Sequence, residues 1–458
     1  MIKNPTKNHP SQKAFSFCLV GILIAAALAL ASTQELRTAI PLLVGSTAAM
    51  STVLTSVLYC GERQCINWSA WFVLALALVL RLMFLFSPPQ LSDDMYRYLW
   101  DGSTTLRGSN PYALAPAAVR PPPELAAVHA QINHPGYITI YPPAAQLVFA
   151  AGTLFGGSIT GLKALLLMVD LLLCALIINV LRRLDMPVSR AVLYAWNPLP
   201  VVEIAASGHV DGAGMTMVIG ALALLLAGYT CDTKQRSRVY GLSGALLACA
   251  GMVKLFPFAL VPLLFLLVPR GKRRYFAAGF VTTLAAVVVI FLPQLSNIFT
   301  SLNAYARNWE FAGYAFSILR SITGSGTIAR LILSATFCAT AAGVLIRTYA
   351  RISPETTEAA KAREIVQACY TTAILFLLLT PTLQPWYALS LAAFLPFCAG
   401  PAGLVLCWAV FLTYRVQIPY FILGQWFENP YVTAAVFWAP VTAFLVSSCF
   451  RKNREVAG

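Results

Sequence analysis

Two neighbouring carboxylates, Asp93 and Asp94, open the stretch SDDMYRYLWDG at residues 92–102, in a chain with only 17 acidic residues among 458. Adjacent carboxylates repel, and partial burial beside apolar residues raises a carboxylate toward the range where it accepts protons. That is the property of a general base. The company of Tyr96, Arg97, Tyr98 and Trp100 is too aromatic for a free loop. Asp101, at the far end of the stretch, reads as an ordinary loop acid.

A second rich stretch is WNPLPVVEIAASGHVDGAG, residues 196–214. Pro198 and Pro200 interrupt a helix, and Gly208 permits a turn into the next. Glu203, His209 and Asp211 fall near that turn, where they suit hydrogen bonds to sugar hydroxyls or support of other site groups. A divalent metal is an option on ligand type alone, without any ligand spacing to carry it, and no cofactor is expected. Four cations suit a phosphate: Arg81 and Arg415 inside apolar helices, Lys254 in GMVKLFPFALVP, and Arg307. Snorkelling to the interface or an internal ion pair would account for the first three equally well. Asp170, alone in LLLMVDLLLCAL, reads as a hydrogen bond between helices. The motifs YPP (Tyr141) and QPWY (Gln384, Trp386, Tyr387) set aromatic rings beside proline and polar residues. Trp309, Tyr314 and Trp426 fit an interface belt that needs no function.

The elements that must position these residues are membrane helices. The chain is 59% hydrophobic and 11% charged, with a net charge of +15. Apolar runs long enough to cross a bilayer recur from Ala14 to Phe450, giving an all-α polytopic protein of about 13 transmembrane helices in one domain, 1–458. Lys and Arg bunch in short connectors, at 182–183, 234–238, 270–274 and 451–454 among others. That pattern places the connectors and both termini in the cytoplasm and excludes nucleic acid as the reason for the charge. The first apolar run reads as a retained helix. The segment 88–138, the longest polar connection, then faces outward and is expected to be partly helical. Asn133, His134, Trp309 and Glu310 gather at the same face. The stretch 141–158 either crosses the membrane or is re-entrant. Cys60 and Cys65 frame a cytoplasmic turn, with neither a zinc site nor a disulfide implied.

With these motifs in order, the chain resembles the GT-C membrane glycosyltransferases, and among them the bacterial mannosyltransferases that use polyprenyl-phosphate sugars. SDDMYRYLWDG with GSNPYALAP is similar to that family's first outer loop. INHPGYITIYPPAAQLVF, NPLPVVEIAASGHVDG, KLFPFALVP and PTLQPWYALS resemble its later motifs. Related enzymes carry an acid at Asp-x-x-Arg-Tyr spacing, met here by Asp94, Arg97 and Tyr98. The resemblance implies Asp94 as catalytic base with Asp93 beside it, and Arg81, Lys254, Arg415 and Arg307 as candidates for the donor phosphate. It implies substrate contacts from Arg97, Tyr98, Tyr141, Glu203, His209, Asp211, Gln384, Trp386 and Tyr387. The expected reaction moves a sugar, mannose before glucose, galactose or arabinose, from a polyprenyl phosphate to a glycan, glycolipid or protein, with inversion. It would take place at the extracytoplasmic face of a bacterial inner membrane. A transporter or flippase of a lipid-linked sugar is the alternative.

Overall fold

The structure, a computed structural model, describes residues 10–62, 68–353, 355–398 and 400–457. The first nine residues, and residues 63–67 with Cys65 of the expected Cys60–Cys65 turn, lie outside that description. Sixteen of the helices carry the argument. They are α1 (Pro10–Ala31), α2 (Ile40–Glu62), α3 (Ala70–Leu82), α4 (Asp94–Leu106), α5 (Pro143–Thr153), α6 (Ile159–Arg183), α7 (Asp211–Thr230) and α8 (Thr233–Val253). They continue as α9 (Pro257–Phe265), α10 (Arg273–Phe291), α11 (Asn297–Asn308), α12 (Tyr314–Thr323), α13 (Gly326–Arg351), α14 (Glu358–Leu379), α15 (Pro401–Ala409) and α16 (Pro430–Ala457). Among the described residues there is no strand, only isolated bridges from Phe311 and Ala312 to Thr382.

Nine helical stretches among the described residues are long and apolar enough to cross a membrane, and α3 is a shorter apolar helix. The protein is an all-helical, multi-pass membrane protein. Where hydropathy leads to about 13 crossings, several are broken into short pieces. Residues 188–207 form a 3-10 turn, two short α-helical pieces and a π-helical stretch, Val201–Ala206. The interruption lies at Pro198 and Pro200, and the Asn197 side chain accepts from the Leu199 N–H at 2.9 Å to restart the helix.

Side-chain ties identify the two ends of the bundle. At one end Asp211, opening α7, meets Lys254, which caps α8. At the other, the Tyr229 hydroxyl donates to the Leu267 carbonyl. Residues 254–268 therefore run alongside α7 from end to end, although α9 itself has only nine residues.

α5 does not cross. Its 11 residues reach about 16 Å, half of a hydrocarbon core. Tyr141, just before it, bonds Asp94, and Lys163, in the first turns of α6, donates to the carbonyls of Phe84 and Ser87. Both ends of 141–158 thus lie at the same end of the bundle. α5 packs against α4, where Gly102 is required because a Cβ there would overlap the Phe149 carbonyl.

Arg81 is tied into this framework. It is fully buried, and its Nε lies 2.5 Å from Asp170 Oδ2, with further bonds from its Nη1 to the Ala77 and Ala195 carbonyls. Tyr194 donates to the other Asp170 oxygen. A guanidinium buried in an apolar helix needs such compensation, and here α3, α6 and the broken segment supply it.

Candidate active site

Asp94 starts α4 and presents its carboxylate where the loop 88–142 folds back on the bundle. Asn133 Nδ2 donates to Oδ1 and the Tyr141 hydroxyl to Oδ2, each at 3.0 Å. These two donors fix the carboxylate plane, and 17% of the side chain stays open. Tyr141 is buried, and burial first, then the Asp94 charge, holds its phenol well above its usual range, so it remains a donor. Asp93 is the more open of the two acids. The protein around it raises its carboxyl, Arg37 pulling it back and Asp94 pushing it further up.

The far side of α4 is buried against the loop and α5. Arg97 pairs with Asp101 at 2.9 Å, one helical turn on, and donates to the Tyr137 carbonyl at 3.0 Å. Asp101 is buried and also receives Gln146 Nε2 at 3.4 Å. The expectation of an ordinary loop acid is thus corrected: Asp101 is the buried counter-ion that lets Arg97 hold the loop. Tyr98 is likewise fully buried, stacked on Phe149 at 4.3 Å and edge-on to Tyr141 at 4.9 Å. Arg97 and Tyr98 thus lie buried behind Asp94.

The broken segment and the turn after it carry the next groups. Gly208 takes a φ of +77°, and a Cβ there would overlap the Met95 side chain, so the turn nests against α4 only as glycine. It delivers His209 beneath Asp94, with Nδ1 3.8 Å from Asp94 Oδ2 and Nε2 3.6 Å from Glu203 Oε2. The imidazole is fully buried and stacked on Trp386 at 3.8 Å. Glu203 is fully buried as well, and both its oxygens accept from the Tyr414 hydroxyl, at 3.0 and 2.9 Å. Glu203 therefore lies one layer behind the opening.

Lys254 bridges the two sides. Its Nζ is 3.3 Å from Asp211 Oδ2 and lies over the rings of Tyr141 and Tyr387, at 5.3 and 5.4 Å. The Tyr387 and Tyr305 hydroxyls meet at 2.6 Å. Tyr305 stacks on Trp309 at 5.5 Å, and His134 and Tyr137 stand edge-on to Trp309 at 5.0 and 5.6 Å. The Thr382 hydroxyl and Arg330 donate to the Trp309 carbonyl. Gln384 is half-buried ahead of the Pro385–Ala388 turn that carries Trp386 and Tyr387. Arg307, in the last turn of α11, and Arg415, next to Tyr414, are exposed. Among the described residues no three His, Cys, Asp or Glu side chains gather to hold a metal ion.

Residues far apart in sequence thus converge at one end of the bundle: Asp94, Tyr141, His209, Asp211, Lys254, Trp386 and Tyr387. Sequence reasoning did not single out Tyr305, Tyr414 or Gln146. Each is an ordinary residue in an amphipathic or apolar run, and no spacing marks it.

Residues 20–270 match the family described as alpha-(1->6)-mannopyranosyltransferase, N-terminal domain. The matched region is more than half of the 458-residue chain and includes Asp94, Tyr141, His209 and Lys254. No curated protein matches the sequence. A membrane bundle with a carboxylate, an ammonium and aromatic rings at one end agrees with that match: the chain belongs to the alpha-(1->6)-mannopyranosyltransferase family, mannosyltransferases of the GT-C type.

Proposed function

We propose that the protein transfers mannose from a polyprenyl-phosphate donor to a hydroxyl of a glycan, glycolipid or protein, with inversion and with Asp94 as general base. The observation that carries this reading is the Asp94 carboxylate, oriented by Asn133 and Tyr141 and left partly open, beside the Lys254 ammonium. The acceptor hydroxyl loses its proton to Asp94 as its oxygen attacks the anomeric carbon. The bond from that carbon to the phosphate oxygen breaks, and the lipid phosphate leaves with the electron pair.

Charge then accumulates on the phosphate, and a fixed cation stabilises it most at that moment. Lys254 is the cation next to the base, and the exposed Arg307 and Arg415 are further candidates for the headgroup. Asp211 and the rings of Tyr141 and Tyr387 hold Lys254, while Trp386, Tyr387 and Gln384 line the approach from the other half of the chain. The loop 88–138, tied down by Arg97 and Asp101, excludes water from the donor so that transfer outruns hydrolysis.

The orientation follows from charge. Arg182 and Arg183 end α6, and Lys272 precedes and Arg273 opens α10, at the end of the bundle away from Asp94. By the positive-inside rule that end is cytoplasmic, together with both chain termini. The site then faces the outside of a bacterial inner membrane, where polyprenyl-phosphate sugars and cell-envelope acceptors are found.

The test is Asp94→Asn in the purified full chain, given a synthetic polyprenyl-phosphate mannose and octyl mannoside. The variant is expected to insert normally, bind the donor and release no polyprenyl phosphate. Wild-type turnover by Asp94→Asn would sink the assignment of the base. Failure of the wild-type protein to release polyprenyl phosphate in detergent, with lipid-linked mannose crossing proteoliposomes instead, would favour a flippase.

A further inference from the structure

His209 has two buried ring nitrogens, neither of which has a hydrogen-bond partner. Each nevertheless faces a carboxylate. Nδ1 looks toward Asp94 Oδ2 at 3.8 Å and Nε2 toward Glu203 Oε2 at 3.6 Å. Leaving both nitrogens of a buried imidazole unbonded costs stability. The stack on Trp386 and the positive-φ turn at Gly208 hold the ring there all the same. Behind it, the Tyr414 hydroxyl fixes Glu203 through both oxygens.

We infer that His209 is a proton relay that carries the acceptor's proton from Asp94 to Glu203. The inference rests on the assignment of Asp94 as base made above. In the resting site Nε2 carries the hydrogen toward Glu203, and the Nδ1 lone pair faces an ionised Asp94 that offers it no hydrogen. Once Asp94 Oδ2 takes the acceptor's proton, the same lone pair gains a donor and the contact closes.

The proton then passes from Asp94 to Nδ1, while Nε2 gives its hydrogen to Glu203 Oε2. Asp94 is again ionised, the imidazole is neutral in its other tautomer, and Glu203 holds the proton. After the products leave, the reverse transfers return the proton to Asp94 and thence to water. The charged groups acting on the ring are Asp94 from α4, Glu203 from the π-helical stretch, and Lys254 from the end of α8, itself paired with Asp211. The relay thus holds Asp94 ionised until the products have left.

His209→Phe keeps a ring against Trp386 and removes both nitrogens. Glu203→Gln keeps an acceptor for Nε2–H and for Tyr414 yet takes up no proton. With polyprenyl-phosphate mannose and octyl mannoside, each is expected to lower kcat by about 10²-fold, at the low end of general acid–base contributions, with both KM values unchanged. Because both residues act on one path, the double variant loses no more than either alone. A Glu203→Gln variant with wild-type kcat, or losses that multiply in the double variant, would overturn the relay. If His209→Phe does not insert, His209→Gln carries the same comparison. Asp94→Asn, run alongside, separates the two readings: its activity tests the base, and the activity of the other variants tests only the relay.

Discussion

Lys254 is held on three sides, with one carboxylate paired to an ammonium that has three hydrogens to give. Asp211 sits 3.3 Å away, and two aromatic faces flank it at more than 5 Å. An ammonium so placed keeps attraction to spare for a phosphate. Lys254→Met is therefore expected to lower kcat by about 10²–10³-fold while raising the donor KM far less, because the leaving phosphate is most charged in the transition state. Single-turnover release of polyprenyl phosphate separates the two effects. Arg81 gives the opposite case. Arg81→Leu leaves Asp170 charged and buried, so a loss of about 3–5 kcal/mol is expected, read as a large drop in detergent melting temperature. Pairing it with Asp170→Leu should recover much of that loss, a result that a phosphate-binding role for Arg81 would not produce.

Gly208 and the π-helical turn before it are where the element scale decides the site. Gly208→Ala meets a left-handed backbone and the Met95 side chain together. A loss of at least 1 kcal/mol is expected, with part of it relieved by Met95→Ala, as thermal unfolding of the single and double variants would show. Such turns were half-legible in the sequence. Pro198, Pro200 and Gly208 announced a break, but nothing in their spacing said that the backbone would continue as a π-helix and turn Glu203 inward to Tyr414. The long apolar helices α1, α6, α7, α13 and α16 were readable because a bilayer demands about 20 apolar residues wherever it is crossed. α4 was legible only as part of a partly helical loop: its buried Met95, Tyr98 and Leu99 form an apolar stripe, but the buried Arg97–Asp101 pair one turn apart interrupts the apolar pattern beside it. Asp94 was legible through its neighbours, whereas Tyr305 and Tyr414 were not, because only the packing of distant segments gives a lone tyrosine a partner.

At the scale of the whole molecule, the proposed orientation predicts that the two ends differ in reach from outside the cell. Cysteines placed at Ser109 and at Lys272, in a background lacking the native cysteines, should part cleanly. The first is labelled by an impermeant maleimide in intact cells, the second only after permeabilisation, and the reverse pattern would invert the topology. The family match ends at residue 270, yet the site does not. Asp94, His209, Asp211 and Lys254 come from the matched half, whereas Tyr305, Trp309, Trp386, Tyr387 and Tyr414 come from the rest of the chain. The Tyr414–Glu203 bond joins the two parts at the centre of the bundle. It bears on inheritance: grafting the second half of a relative onto this first half could exchange the aromatic approach, and with it the choice of acceptor, while leaving the proton chemistry in place. Only donors of that second half that bring a hydroxyl to Glu203 would yield a working hybrid, so this one bond sets a compatibility rule for recombination within the family.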